Sequence, residues 1–240
     1  MENTGTGKAG RFMTGIPGKS ERFNEALFMG GLSLLCVSFS VFRCLYAGSR
    51  RFLFLNWNLF LAFVPWGLTT LSAVNSKIQR SKIALAVLFF FWLIFFPNAP
   101  YILTDIFHLK SRSSMPVWFD TLLILSFAWT GLLFGFLSLW DIERILEKTM
   151  KRRCVTLVSA VLLFAGSFGV YLGRYLRWNS WNLITEPFPL LSDIGDSVIN
   201  PAEHPRAWGL TLFMGIFLNM LYWSFRLIKR RPLSGGHNAA

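Results

Sequence analysis

Residues 117–140 read Val-Trp-Phe-Asp-Thr-Leu-Leu-Ile-Leu-Ser-Phe-Ala-Trp-Thr-Gly-Leu-Leu-Phe-Gly-Phe-Leu-Ser-Leu-Trp, with Asp120 as the only charge. At about 1.5 Å per residue this stretch is long enough, as a helix, to cross a hydrocarbon layer roughly 30 Å thick. It has no strand alternation, and lipid offers the backbone no hydrogen-bond partners, so a helix is the form that satisfies its own peptide groups. Five further apolar runs flank it, at about 26–46, 52–74, 83–102, 155–176 and 207–228. The expected fold is therefore all-α, an integral membrane bundle of six transmembrane helices.

Composition agrees. The 240 residues are 53% hydrophobic and only 15% charged, outside the range of an ordinary soluble domain. Six spans leave room for one membrane domain, residues 23–231, between a basic, Gly- and Thr-rich segment 1–22 and a tail 232–240, both expected to be disordered. The formal charge is +12, but its placement speaks for topology instead of nucleic acid. Sixteen of the 24 Lys and Arg fall before span one, between spans two and three, between four and five, and at or beyond the end of span six, Arg226 included. By the positive-inside rule both termini are cytoplasmic. No nucleic-acid partner is expected; membrane lipid is.

Several motif readings are set aside on context. Gly5-Thr-Gly7-Lys-Ala-Gly10 has the letters of a dinucleotide fingerprint without the strand and βαβ unit that give it meaning. Cys36 and Cys44 lie about 12 Å apart along one helix and Cys154 lies elsewhere, so no disulfide framework follows. No cofactor is implied. Residues 141–153 suggest a solvated continuation of span four, with Glu147 and Lys151 at i, i+4; an acidic gate made by Asp141 and Glu143 is the alternative. In the long loop 177–206, Pro189, Leu190, Leu191, Ile194, Val198 and Ile199 recur at helical spacing, which predicts a short helix in the outer membrane interface.

Polar residues concentrate where the topology places the outer ends of the spans. Asn58 enters span two; Asn98, Tyr101, Asp105 and His108 leave span three; Asp120 enters span four; Arg174, Arg177 and Asn179 leave span five. A polar rim would explain such a distribution, since helix ends are the least costly place for polar groups near lipid. Three features point further. Phe96-Pro97-Asn98-Ala99-Pro100-Tyr101 should break span three, freeing carbonyls that need partners. Ala165, Gly169 and Gly173 repeat at i+4, a face for close helix approach to another helix or a partner. The same stripe reaches Arg177 if the helix persists. Asp105 and His108 share a face at i, i+3.

Asp120 follows Ser113, Ser114 and Pro116 and suits the first turn of a helix on dipole grounds alone, and Asp105 could pair at the surface with Lys110 or Arg112. With only Asp105, His108 and Asp120 as nearby ligands, no metal site is expected.

Asn58-Leu-Phe-Leu-Ala62 with Pro65, the Phe96–Tyr101 motif with Thr104, Asp105 and His108, Trp118-Phe119-Asp120, and Gly173-Arg174-Tyr-Leu-Arg177-Trp178-Asn179-Ser180-Trp181 together resemble a bacterial membrane-protein family, domain-of-unknown-function family 1361. The resemblance runs from about residue 40 to 226. It implies a polytopic bacterial membrane protein and no particular activity. The family pattern has Asp where this chain has Asn182, which argues against catalysis at that position.

Three functional classes remain in view. One is an outer-face pocket for an anionic headgroup or substrate, with Arg174 and Arg177 as binding groups and Asn58, Asn98, Tyr101 and Asn179 around them. Asp105, His108 and Asp120 would then be available for acid-base chemistry in a lipid-modifying enzyme. The others are a small transporter using the broken span three, and an assembly or scaffold subunit.

Overall fold

A computed structural model describes residues 19–109 and 115–230. The Gly5–Gly10 motif, Lys110, Arg112, Ser113, Ser114 and the tail 232–240 lie outside the described residues. Ten α-helices occur in them: α1 (Lys19–Ala47), α2 (Phe54–Val74), α3 (Ser76–Arg80), α4 (Lys82–Phe95), α5 (Asn98–Tyr101), α6 (Val117–Leu146), α7 (Arg152–Arg174), α8 (Asn182–Thr185), α9 (Pro187–Ile199) and α10 (Pro205–Arg230), with a 3-10 segment Ile102–His108 after α5. No strand occurs among the described residues. Six helical stretches are long and apolar enough to cross a membrane, so the chain is a multi-pass helical membrane protein.

The most buried of the six is α6, which packs against α1, α2, the α5 and 3-10 segment, and α7, while α10 packs on α7. Two apolar clusters meet on it. One joins Leu55, Ala62 and Trp66 of α2 to Leu123 and Phe127; the other joins Trp92, Leu163 and Tyr222 to Phe136 and Leu139.

The third span breaks where its prolines require. α4 ends at Phe95 and the chain restarts at Asn98, so the span is not one helix over 83–102. The freed carbonyls find partners: Asn98 Nδ2 donates to the Phe95 oxygen (2.9 Å), and Ser180 Oγ donates to the Ile94 oxygen (3.2 Å). Glycines on both neighbours admit this bulky segment. A Cβ at Gly135 of α6 would stand 2.8 Å from Ala99 Cβ, and one at Gly169 of α7 would stand 2.4 Å from Pro97 Cγ. Gly173 faces the Tyr101 ring in the same way. The close approach offered by Gly169 and Gly173 is thus made within the chain, and Ala165 is left on the wall of a cleft.

Both ends of α1 are clamped to α6. Arg43 donates from Nε to Asp120 Oδ1 (3.0 Å) and from a terminal nitrogen to Oδ2 (3.3 Å), while Arg22 pairs with Asp141. The arginines are 21 residues apart on α1 (22 to 43) and the aspartates 21 apart on α6 (120 to 141). Each spacing is about 31 Å of helix, so two antiparallel helices meet charge to charge at both boundaries of an apolar layer.

The region after span four departs from expectation. α6 continues only to Leu146, with Glu147 at its C-cap and Lys151 at the N-cap of α7, so the i, i+4 pair does not form on one helix. Asp141 and Glu143 are buried, not solvated: Asp141 pairs with Arg22 and accepts from Thr69 Oγ1 (3.0 Å), and Glu143 pairs with Arg226 (3.0 Å). The long loop carries two helices, α8 and α9, instead of one. The apolar positions on α9 divide, Leu190 buried and Ile194 half-buried, while Leu191, Val198 and Ile199 are exposed.

Candidate functional site

The site gathers where the 3-10 segment, the end of α7 and the start of α2 meet. Asp105 has no exposed surface and is held from three sides. A terminal nitrogen of Arg174 pairs with Oδ1, Asn58 Nδ2 donates to Oδ2 (2.9 Å), and His108 Nδ1 lies 3.8 Å from Oδ1. Arg174 also donates from Nε to Thr104 Oγ1 (2.8 Å), and its guanidinium lies over the Tyr101 ring at 4.3 Å. Such stacking and forked donation is what arginine does and lysine does not. Among the described residues Arg174 Nη1 makes no hydrogen bond, leaving one face of the guanidinium for a further acceptor.

The backbone turn after α7 sets the rest. The helix does not persist to Arg177: Tyr175 is its C-cap, and Arg177 takes φ +62°, the left-handed region that side chains other than Gly seldom adopt. Trp178 N–H then donates to the Leu172 carbonyl (3.1 Å). Arg177 is therefore presented by a tight turn, exposed, and not along the glycine stripe.

A polar cavity of about 490 Å³ opens here, lined by Tyr101, Phe107, His108, Gly173, Arg174, Arg177 and Asn179. No carboxylate lines it among the described residues. Asp105 is behind Arg174, so that pair is neutral overall, while Arg177 adds a positive charge that has no ion-pair partner among the described residues. An apolar cleft of about 370 Å³ adjoins the cavity and shares Tyr101, Gly173 and Asn179 with it; Asn58 and Asn98 also line it. Asn98 Nδ2 holds Ser180 Oγ at 2.9 Å, linking the broken span to the turn after α7.

The structure thus brings together Asn58, Tyr101, Asp105, His108, Arg174, Arg177 and Asn179, with Asn98 on the adjoining cleft. Asp120 stands apart, bidentate with Arg43, whose guanidinium also lies over the Phe52 ring at 4.5 Å. It follows that the expectation of one cavity shared by both aspartates is not met. Asp105 is paired with Arg174 in the protein interior and is not a surface carboxylate. Among the described residues no cluster of three His, Cys, Asp or Glu is arranged as a metal cage. Sequence reasoning passed over Arg22, Arg43 and Arg226 as partners for buried carboxylates. An arginine inside or at the edge of an apolar run was the available signal.

The model of the family described as a protein of unknown function (DUF1361) matches residues 57–221. No curated protein matches the chain, and no solved structure does. The matched stretch contains the broken span, Asp105, the α7 turn and both cavities, and since it covers more than half of the sequence, the chain belongs to the DUF1361 family.

Proposed function

We propose that this protein binds an anionic group, phosphate or carboxylate, in the polar cavity beside Arg174 and Arg177, at the expected extracytoplasmic face. The carrying observation is a cavity wall with two arginines, a histidine and no acidic side chain among the described residues. Guanidinium donors bind such anions with charge-assisted, often forked hydrogen bonds. The positive φ of Arg177 supports the reading as well, because strained backbone at a residue other than Gly clusters at binding sites. A lipid-modifying reaction is the second reading. It is favoured by His108, half-exposed in the same wall, whose ring lies 3.8 Å from the Asp105 carboxylate and could exchange protons with a bound ligand.

Arg174→Ala is a poor probe, since it strands the buried Asp105. Arg177→Gly is a better one: it deletes a charge while relieving the left-handed backbone. Binding of inorganic phosphate or of a phosphate monoester, measured on purified protein, should weaken about 10- to 100-fold, the loss of one hydrogen bond to a charged group. Thermal stability should hold or rise. Unchanged affinity in a folded Arg177→Gly protein would exclude the cavity as the anion site. A proton-transfer role for His108 predicts that His108→Gln retains binding and abolishes hydrolysis of a lipid phosphate ester; equal turnover would remove that second reading.

A further inference from the structure

We infer that the ligand is an amphiphile with a hydrocarbon chain on a phosphate, the chain lying in the apolar cleft while the phosphate occupies the polar cavity. This inference rests on the anion-binding reading above and adds what the anion is attached to. The two cavities adjoin, with Tyr101, Gly173 and Asn179 in the walls of both, so a ligand that passes these three residues would reach from one into the other. Their chemistry divides as a lipid does. The polar end holds the arginines, whereas the cleft wall is built by Leu61, Leu93, Phe168, Leu172, Leu190 and Ile194.

The dimensions suit a hydrocarbon chain. Along α7 the cleft runs from Gly173 to Ala165, about 12 Å at the helical rise, and its volume of about 370 Å³ is lined mainly by apolar side chains. Ala165, small and exposed, lines the end of the cleft away from Gly173, and α9 forms a side wall through Leu190 and Ile194. α9 is held there by Trp178 Nε1 donating to Asp193 Oδ2 (2.8 Å) and by Trp208 Nε1 donating to the Ser197 carbonyl (2.9 Å). Leu93 and Trp57, both partly exposed, line the cleft where it opens sideways, so a chain can enter from the membrane without passing through water.

The test uses the full chain in nanodiscs, with hexadecyl phosphate and ethyl phosphate as probes and protein-free discs as the blank for lipid uptake. Ala165→Trp and Ile194→Trp each fill the cleft, from different walls, and leave the arginines in place. Wild-type protein should hold hexadecyl phosphate at least about tenfold more tightly than ethyl phosphate. Both tryptophan variants should lose that preference and keep ethyl phosphate binding. If both bind hexadecyl phosphate as wild type does, or if wild-type affinity is the same for the two esters, the chain is not in the cleft and the inference falls, although the anion site stands. If wild-type protein binds neither ester, the anion reading fails as well. A variant that misfolds is replaced by an ethyl, octyl, dodecyl and hexadecyl series on wild-type protein, where affinity independent of length overturns the inference.

Discussion

Substituting Gly169 by Ala adds one methyl group at the point where α7 meets the broken third span. A Cβ there would stand 2.4 Å from Pro97 Cγ and 2.7 Å from Pro97 Cβ. Ordinary contact begins near 3.4 Å, so about 1 Å of displacement is demanded of a rigid ring that cannot rotate away. Overpacking of this kind costs about 1–3 kcal/mol, and replacing a mid-helix glycine returns about 0.5–1 kcal/mol. The net expectation is a loss of about 1–2 kcal/mol. Two neighbours calibrate it. At Gly173 the Cβ would meet the Tyr101 ring edge at 3.1 Å, which a slight ring tilt relieves, so Gly173→Ala should fall within about 0.5 kcal/mol of wild type. At Gly30 no atom lies within 4 Å, and Gly30→Ala should stabilise by about 0.5–1 kcal/mol. Unfolding of all three variants in mixed detergent micelles gives the order Gly30→Ala, Gly173→Ala, Gly169→Ala from most to least stable. A Gly169→Ala protein as stable as Gly30→Ala would mean that Pro97 is not seated on α7, and the account of how the span is broken would be wrong.

Arg43→Ala should destabilise by about 3–5 kcal/mol by stranding buried Asp120, and Arg43→Met with Asp120→Leu should recover most of that in the same unfolding assay; a single-variant loss below about 1 kcal/mol would place the pair in solvent. At the end of α9, the Asn200 side-chain hydrogen bond and then His204 hold the Asp196 carboxyl below its usual range. Its contribution to folding is therefore present above the unfolded value of about 3.9 and is lost as pH falls through the lower folded value. Amide exchange over residues 197–203 should stay slow at pH 5 and accelerate below about pH 3.9 in wild type but not in Asp196→Asn; acceleration already at pH 5 would contradict this. Reporter fusions after Asn75, Lys151 and Arg231 should read as cytoplasmic and those within 47–51, 110–114 and 186–204 as external, and a cytoplasmic signal from 186–204 would invert the proposed orientation.

Local chemistry was legible in the sequence where a residue acts on its own neighbourhood. Long apolar runs must be helical in lipid, and Pro97 and Pro100 must interrupt one of them. Gly131 and Gly135, at i, i+4 in the opening stretch, carried the same signal as the α7 stripe and mark the other wall of the broken segment. What stayed hidden depends on partners distant in sequence. Asp120 is 77 residues from Arg43 and Arg226 is 83 from Glu143, separations at which spacing carries no register. Asp120 also had a sufficient local explanation, so nothing urged a search for its arginine. The end of α7 was missed for a related reason: Tyr175, Leu176 and Arg177 include no Gly or Pro to stop a helix, and the stop is made by the left-handed backbone of Arg177 with Trp178 N–H donating to the Leu172 carbonyl.

The equal 21-residue spacings on α1 and α6 have a consequence for biosynthesis. The first span leaves the ribosome carrying Arg22 and Arg43 near its two ends; Arg22 already has Glu25 one turn away at 2.9 Å, but the counter-charge of Arg43 is encoded far downstream. At a synthesis rate of about 5–20 residues per second, the 77 residues to Asp120 take roughly 4–15 s. For that interval the Arg43 guanidinium has to reach toward water at the edge of the lipid. Arrival of the fourth span supplies Asp120 to Arg43 and adds Asp141 to Arg22, so the depth of the first helix is fixed at both of its ends only after more than half of the chain has been made.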